Sequence, residues 1–434
     1  MTDLLPLAEI EESVQRQAMS IAVDMATTEG RDALRRLIDG AIESWQLEAA
    51  RFGRRRPLVD PDAMARRAWS NLAQYGPLTA LLDDPDVWEI EINSPADIFV
   101  KRHRGESGYH HETFHDDDHV LRTLSRLLDD SSTSHRRLDP TEGLQDAQLD
   151  DGSRLHIVHG DIARGGHCMV NIRRFTGVAF TRLAELVDAD TLPLRAATFL
   201  AGAVRAGASI VFAGAPGSGK TTLLSCCLGE LDPSLRVVTA EEVFEIDAPL
   251  ANVASMQTRA ARTDRPAIDL RRLVSGFLRM APDVAVVGEV RDREALPLLL
   301  TLSSGVRGFT TIHASNARGA LSRLRFLAEL SDSARNLPHS ALTTLVSESI
   351  DLVVFSERSE SGPRVREILA VEDLSVGPEN GTFTVSELFA TDTRGHLAWT
   401  GALPQRMLTR QQSRPEAGVQ DLAEILRSAS ELPR

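Results

Sequence analysis

The sequence has little of what would mark a secreted scaffold, a membrane span or a basic nucleic-acid binder. Three cysteines, Cys168, Cys226 and Cys227, occur in 434 residues. They cannot build a disulfide framework, and an adjacent pair is badly placed to bridge, so the composition suits a reducing compartment with the cytoplasm as the expected one. No window of about 18 residues is free of charge, and Met1 to Ile10 lacks the basic and apolar segments of a secretory signal. The expectation is a chain that neither spans a membrane nor leaves the cell by itself. Aromatic residues are 5%, and 62 Asp plus Glu against 48 Lys plus Arg give a formal charge of −14. That balance disfavours long-range attraction to nucleic acid or anionic lipid, leaving room only for a local basic groove. Lysine is almost missing: Lys101 and Lys220 are the two in the chain, so either one asks for a reason.

What is present is an ordinary globular mix, 42% apolar and 25% charged, long enough for two or three domains. Residues 1 to about 75 read as helices, with Ala33, Leu34, Leu37, Ile38, Ala41, Ile42 and Trp45 forming one apolar stripe. The arginines of Arg51 to Pro57, followed by Pro61, read as a solvated hinge rather than a nucleic-acid patch. From Gly76 short strands are expected, Val87 to Ile92 and Ile98 to Val100, then a helix capped by Asp116 to Asp118. Leu155 to Val158 and Cys168 to Arg174 should pair as strands and close a mixed domain near residue 178. His111, His115 and His119 recur every four residues, but the turn-rich stretch and the acidic cap argue against one continuous helix and so against a metal site. A linker is expected over Thr181 to Pro193. Beyond it a helix, Ala196 to Ala206, and apolar strands at Ser209 to Ala213, Val237 to Thr239, Val284 to Val287 and Phe309 to Ile312 alternate with helices. This is the pattern of a parallel sheet covered on both faces. More strands follow after Ile350.

The second lysine falls within Gly214-Ala215-Pro216-Gly217-Ser218-Gly219-Lys220-Thr221, which fits G-x-x-x-x-G-K-[ST] between an apolar strand and a helix. In such a loop backbone N–H groups close around phosphates, the lysine reaches the outer phosphate oxygens, and the hydroxyl of Thr221 can hold magnesium. The cradle is expected to run from Gly214 to Thr222. Two other strands end in carboxylates: Val284 to Val287 leads to Glu289, and Val237 to Thr239 leads to Glu241. Open α/β sheets bind ligands at that edge. Thr310-Thr311-Ile312-His313 ends a third, and His313 could sense the terminal phosphate.

These four segments, in order, resemble the Walker A, acidic, Walker B and histidine boxes of the type II/type IV secretion ATPases. The acidic box is Thr239 to Ile246, and the Walker B box is Leu278 to Asp283 running into Gly288-Glu289-Val290-Arg291. Upstream, Tyr75-Gly76-Pro77-Leu78, Asp84-Pro85-Asp86-Val87, Asp151-Gly152-Ser153-Arg154 and Ile172-Arg173-Arg174-Phe175 look like the CpaF-like branch, which powers Tad/Flp pilus assembly. The resemblance covers about residues 70 to 400. It implies an α/β fold, a RecA-like P-loop NTPase domain over 181–400 behind a mixed α+β domain over 71–180, with a helical extension over 1–70 and a tail over 401–434. It also implies an ATPase that uses ATP and Mg2+, works as a homohexamer, and energises pilus assembly or type II/IV secretion. The implied place is the inner face of the cell membrane, reached through an inner-membrane platform protein, with prepilin an indirect substrate and no nucleic acid. By position, Glu289 is the Walker B glutamate and Glu241 the acidic-box glutamate, sharing with Thr221 the magnesium, partly through water; which glutamate is the base stays open. Arg154 and Arg173 match arginines that approach the phosphates, and Arg259 and Arg279 are further candidates. Glu242 stands where the family usually has aspartate, and Ser304-Gly305-Val306-Arg307-Gly308 replaces a Thr-Gly-His-Asp-Gly turn. The competing reading is a RecA-like nucleic-acid translocase of a conjugation or DNA-transfer system.

Overall fold

A computed structural model of the chain describes residues 4–52, 55–103, 105–131, 138–139, 141, 143–174, 180–259, 266–334, 337–359, 362–373, 382–413 and 421–428. It divides into two compact units, Met1–Thr176 and Gly177–Arg434. The boundary expected near residue 178, and Phe175 of the arginine box, lie outside the described residues.

The first unit begins with three helices, α1 (Leu4–Ser20), α2 (Thr28–Phe52) and α3 (Pro61–Ala73). The stripe read from α2 is what buries: Leu34, Ile38, Ile42 and Trp45 pack with Leu7, Ile10 and Val14 of α1 and Met64 and Ala68 of α3. Asp60 caps α3 through the Ala63 amide, and Pro61 takes the first turn, where its missing N–H costs nothing. The basic hinge is partly neutralised, because Arg55 pairs with Glu9 and Glu48 and lies over the Trp45 ring.

The rest of this unit comprises α4 (Thr79–Asp83), β1 (Val87–Ser94), β2 (Asp97–Arg102), β3 (Gly108–Tyr109), α5 (Asp117–Asp129), β4 (Leu144–Gln148), β5 (Arg154–Val158) and β6 (Met169–Arg173). The strands form an antiparallel sheet in the order β3-β2-β1-β6-β5-β4. Alternation decides its faces: Ile90, Ile92, Leu155, Ile157, Val170 and Ile172 bury with Val120, Leu124, Leu127 and Leu128 of α5. Helix α5 starts where Asp116 accepts the His119 amide, so His111 and His115 precede it and the three histidines share no helical face. Instead His115 Nε2 sits 2.8 Å from Glu11, with its ring stacked on His119. Lys101 has its reason here, on the polar face of the sheet, where it donates to Glu89 and Glu91, two carboxylates two residues apart on β1. Strand β4 was not foreseen: three residues of the five in Leu-Gln-Asp-Ala-Gln are polar, as an edge strand permits.

The second unit holds α6 (Leu183–Asp188), α7 (Leu194–Arg205), β7 (Ile210–Gly214), α8 (Lys220–Leu228), β8 (Val237–Glu241), β9 (Val253–Gln257), α9 (Leu270–Val274), β10 (Val284–Val287), α10 (Ala295–Ser303), β11 (Arg307–Ile312), α11 (Ala317–Glu329), α12 (His339–Ser349), β12 (Leu352–Ser359), β13 (Gly362–Val371), β14 (Val385–Thr391), β15 (Leu397–Trp399), α13 (Gln405–Ser413) and α14 (Leu422–Ser428). One sheet runs in the order β15-β14-β13-β12-β7-β11-β10-β8-β9. Pairing is parallel from β12 to β9 and antiparallel from β12 outward to β15. Strands such as Val-Ala-Val-Val read as unbroken apolar runs because both faces are covered. Ile210 and Phe212 of β7 enter one core with α7, α8 and α14, while Val211 and Ala213 enter the other with α10, α11 and α12. Complete burial of a side chain like Phe212 contributes roughly 1.5–3 kcal/mol.

Two segments differ from expectation. The stretch read as a linker, Thr181 to Pro193, contains α6, whose Leu183 and Leu186 are buried and whose Glu185 accepts the Thr181 and Arg182 amides. The stretch read as a tail contains α13 and α14, and Met407, Leu422, Ile425 and Leu426 complete the core beside α7. Both helices are too short for sequence periodicity to stand out, and their stability comes from the face they bury. The three cysteines are free and buried.

Candidate active site

The parallel register sets the site. β7 is flanked by β11 and β12, and the order 12-7-11-10-8 places a crossover on each side of it, a position where open α/β sheets form a crevice at the strand ends. The loop from β7 to α8 is the candidate cradle. Gly214 adopts φ +153°, and a Cβ there would lie 2.2 Å from the Ser356 carbonyl oxygen and 2.4 Å from Ser218 Oγ. Gly219, at φ +84°, is left-handed and would press a Cβ against Pro363. Only glycine fits either position, for space and for backbone alike. The loop is also tied down from β12: Ser356 Oγ donates to Ser218 Oγ at 3.3 Å, and Arg358 donates to the Gly217 carbonyl at 3.3 Å.

Lys220 opens α8 and is 7% exposed. Its ammonium donates to the Ala215 carbonyl at 2.8 Å and lies 3.4 Å from His313 Nδ1. Thr221 and Thr222 follow in the first turn, half-buried. His313, just past β11, places Nε2 2.8 Å from Glu289 Oε1 and Nδ1 3.2 Å from the Gly214 carbonyl. A proton on Nε2 serves Glu289 in either charge state. On the neutral ring Nδ1 accepts from Lys220, and on the imidazolium it donates to Gly214.

The two glutamates sit in contrasting fields. Burial would raise the Glu289 carboxyl, but His313 and Arg291 outweigh it and bring its pKa down to about 2. Its Oε2 accepts from Arg291 at 2.8 Å. Glu241, at the end of β8, is 2% exposed. Burial dominates there and pushes its pKa up to about 7, against the amides of Glu245 and Ile246, which donate to Oε2 at 2.8 and 2.9 Å. Oε1 keeps only a long contact, 3.5 Å from Thr239 Oγ1.

Gly214 to Thr222, Glu241, Glu289 and His313 therefore converge at one edge of one sheet. The set is chemically suited to phosphates and a divalent cation: a glycine cradle closed to any Cβ, a buried ammonium, hydroxyls at a helix start, and a carboxylate whose burial a cation would relieve. Arg154 and Arg173 belong to the other unit. There they are directly opposed, Arg154 on β5 against Arg173 on β6, with Glu89 the partner of Arg173 on β1. Like charges directly opposed on neighbouring strands cost stability unless other partners compensate them. Arg259 is engaged with the Pro266 carbonyl, and Arg279 is exposed in a single 3-10 turn after α9. Sequence reasoning passed over Arg291, although it stood inside the quoted Walker B segment. Its NH1 reaches Glu242 at 2.8 Å while NH2 holds Glu289, and only proximity in space reveals that bridge.

The family model described as "Type II/IV secretion system protein" matches residues 71–358. The conjugal transfer protein TrbB of Rhizobium radiobacter is 31% identical over 257 residues, 56% of this chain and 75% of that one. The type IV secretion system protein PtlH of Bordetella pertussis is 32% identical over 305 residues, 64% of this chain and 87% of that one. The ATPase DotB of Legionella pneumophila shares 18% identity at a TM-score of 0.47, covering 77% of this chain and 85% of that one, too distant a likeness to bear on the site. The names given to conjugal transfer fit the alternative of a nucleic-acid translocase in part, but the match is to a secretion-system family and the alternative is not upheld. The second unit, with its P-loop between the β7 strand and α8, is a RecA-like P-loop NTPase domain preceded by a mixed α+β domain and a helical extension. Through residues 71–358, the chain belongs to the type II/IV secretion system protein family.

Proposed function

We propose that the chain is the ATP-hydrolysing subunit of a ring motor serving a pilus-assembly or secretion machine, of the Tad/Flp kind that its upstream boxes resemble. The observation that carries this is the convergence of Lys220, Glu241, Glu289 and His313 on the Gly214 to Thr222 cradle. Lys220 binds and neutralises phosphate oxygens, Glu289 orients and deprotonates water, and His313 links the two by touching both. Thr221 and Glu241 hold the Mg2+ shell. Bound magnesium supplies charge neutralisation at the phosphates. Glu241 suits the metal role because it is buried, with one oxygen fixed by two amides and the other held by a long contact to Thr239. Glu289 suits the base role because it stands against His313. By the resemblance alone, Arg154 and Arg173 are the arginines expected to meet the phosphates.

The motor reading rests on the family match and on the names of the relatives, one given to conjugal transfer and one to type IV secretion. Among the described residues no helix is long and apolar enough to cross a membrane, so attachment to the inner face of the membrane falls to a platform protein. Assembly as a homohexamer follows from the resemblance. The test is phosphate release from Mg-ATP by the purified chain, with mass by light scattering in the presence of nucleotide. A chain that binds ATP yet releases no phosphate at any concentration would remove the motor reading.

A further inference from the structure

Glu289 is held on one oxygen and faced on the other. Oε1 faces His313 Nε2 at 2.8 Å, and Oε2 accepts from Arg291 NH2 at 2.8 Å. Each oxygen keeps a second lone pair for water, but a guanidinium on Oε2 stabilises the ionised form and fixes the carboxylate's orientation, so releasing Arg291 makes Glu289 a freer and stronger base. Arg291 is the one built to leave. Its guanidinium carries five donors in a fixed fork, and the second arm, NH1, already lies 2.8 Å from Glu242 Oε2. Moving off Glu289 therefore leaves the guanidinium paired, which avoids the penalty of stranding a charge. The side chains of Arg291 and Glu242 are 42% and 45% exposed, against 20% for Glu289, so the contacts are of the weak, solvent-screened kind that exchange readily.

Both ends of the bridge are anchored. Glu294, 5% exposed, accepts the amides of Arg291 and Asp292 and fixes the turn that carries Arg291. Gln257 and Thr258 donate to the Glu242 carbonyl, holding the other end. Glu245 adds negative charge near Arg291. Glu242 is also the position where the sequence departs from the usual aspartate, and the extra methylene supplies reach toward Arg291.

We propose that Arg291 is a positioning residue that restrains Glu289 in the resting subunit, and that Glu242 is the carboxylate that receives Arg291 when Glu289 is released for hydrolysis. This rests on the ATPase reading above.

The two partners should then act with opposite sign on turnover in the full chain. Arg291→Ala removes the restraint, so kcat rises roughly two- to five-fold, the size of a half-exposed ion pair, with KM for ATP unchanged. Glu242→Gln removes the receiving carboxylate and leaves Arg291 only Glu289, so kcat falls by a similar factor. In the Arg291→Ala background Glu242→Gln should do nothing, because its whole effect passes through Arg291. Arg291→Lys, one charge without the fork, should fall between wild type and Arg291→Ala. Thermal unfolding and affinity for a fluorescent ATP analogue accompany each variant, and the solvent-exposed Glu242→Gln gives a test independent of whether Arg291→Ala folds. A fall in kcat for a folded Arg291→Ala, or additive effects in the double variant, overturns the restraint while leaving the ATPase reading intact. Absence of turnover in wild type and every variant alike removes the ATPase reading, and the restraint with it.

Discussion

His313 and Glu289 meet at 2.8 Å although they come from different strands, because β10 and β11 run parallel with Val287 level with Thr310 and so end together. The same register brings both to the mouth of the cradle opened by β7, whose Ala213 is level with Ile312. An effect at Lys220 can therefore pass to the glutamate through one imidazole.

Separating the roles of Lys220 and Glu289 is the first prediction. Lys220→Ala should weaken ATP binding and abolish turnover, whereas Glu289→Gln should keep binding and lose turnover. Nucleotide affinity and phosphate release, measured side by side, check this. Wild-type phosphate release from either variant would sink the site assignment.

Gly214→Ala should be more damaging than its one methyl suggests. The new Cβ would stand 2.2 Å from a backbone carbonyl oxygen, which has no rotamer by which to retreat. The expected cost is on the order of 1–3 kcal/mol with loss of nucleotide affinity. Gly219→Ala meets the Pro363 ring at the longer distance of 2.9 Å and pays chiefly for φ, about 1–2 kcal/mol. Melting and ATP titration of the pair should show Gly214→Ala as the worse variant.

Arg154→Ala and Arg173→Ala should lower hydrolysis on the order of a hundredfold or more with binding less affected, as for arginines that meet charge developing on a transferred phosphoryl group. Thermal unfolding of each variant tells a lost charge from a lost fold. Unchanged turnover at saturating ATP would remove that arginine from the mechanism.

Acid should weaken the first unit through buried His119 and half-buried His110. Burial, then the positive field of His115 and Arg122, holds His119 down to about 3, and burial holds His110 down to about 4. Below pH 6.5 the unfolded chain binds these protons and the folded one does not. Stability should therefore fall as pH drops from about 6.5 toward 3, by up to about 1.4 kcal/mol per pH unit for each histidine. Urea unfolding at several pH values measures the slope, and His119→Asn should flatten it by one proton. An identical slope in the variant would show that His119 is not the group that titrates.

If the subunits work as a closed ring, Glu289→Gln chains mixed into wild type should depress activity more steeply than dilution, since one dead site stalls its neighbours. A strictly linear loss from a chain that remains monomeric with nucleotide would contradict the ring.

The cradle was legible in the sequence because its chemistry is local: the glycines, Lys220 and Thr221 lie within eight residues, and their spacing is the signal. The strands that carry Glu241, Glu289 and His313 were equally plain, since strands buried on both faces leave unbroken apolar runs. Local also were the α2 stripe and the Asp116 cap of α5. Nothing local announces that Arg291 faces Glu289 while holding Glu242, 49 residues away, or that Arg154 opposes Arg173. Nor does it announce that Lys101 neutralises two carboxylates of a neighbouring strand, or that α14 fills a core built some 200 residues earlier. Those relations depend on strand order, register and the way short helices bury one face, and each couples residues far apart in the chain. The residue types needed for the chemistry are written in the order of the chain. Which charges are shared, restrained or opposed follows from parallel strands that end level with one another, so that side chains from separate segments compete for the same partners.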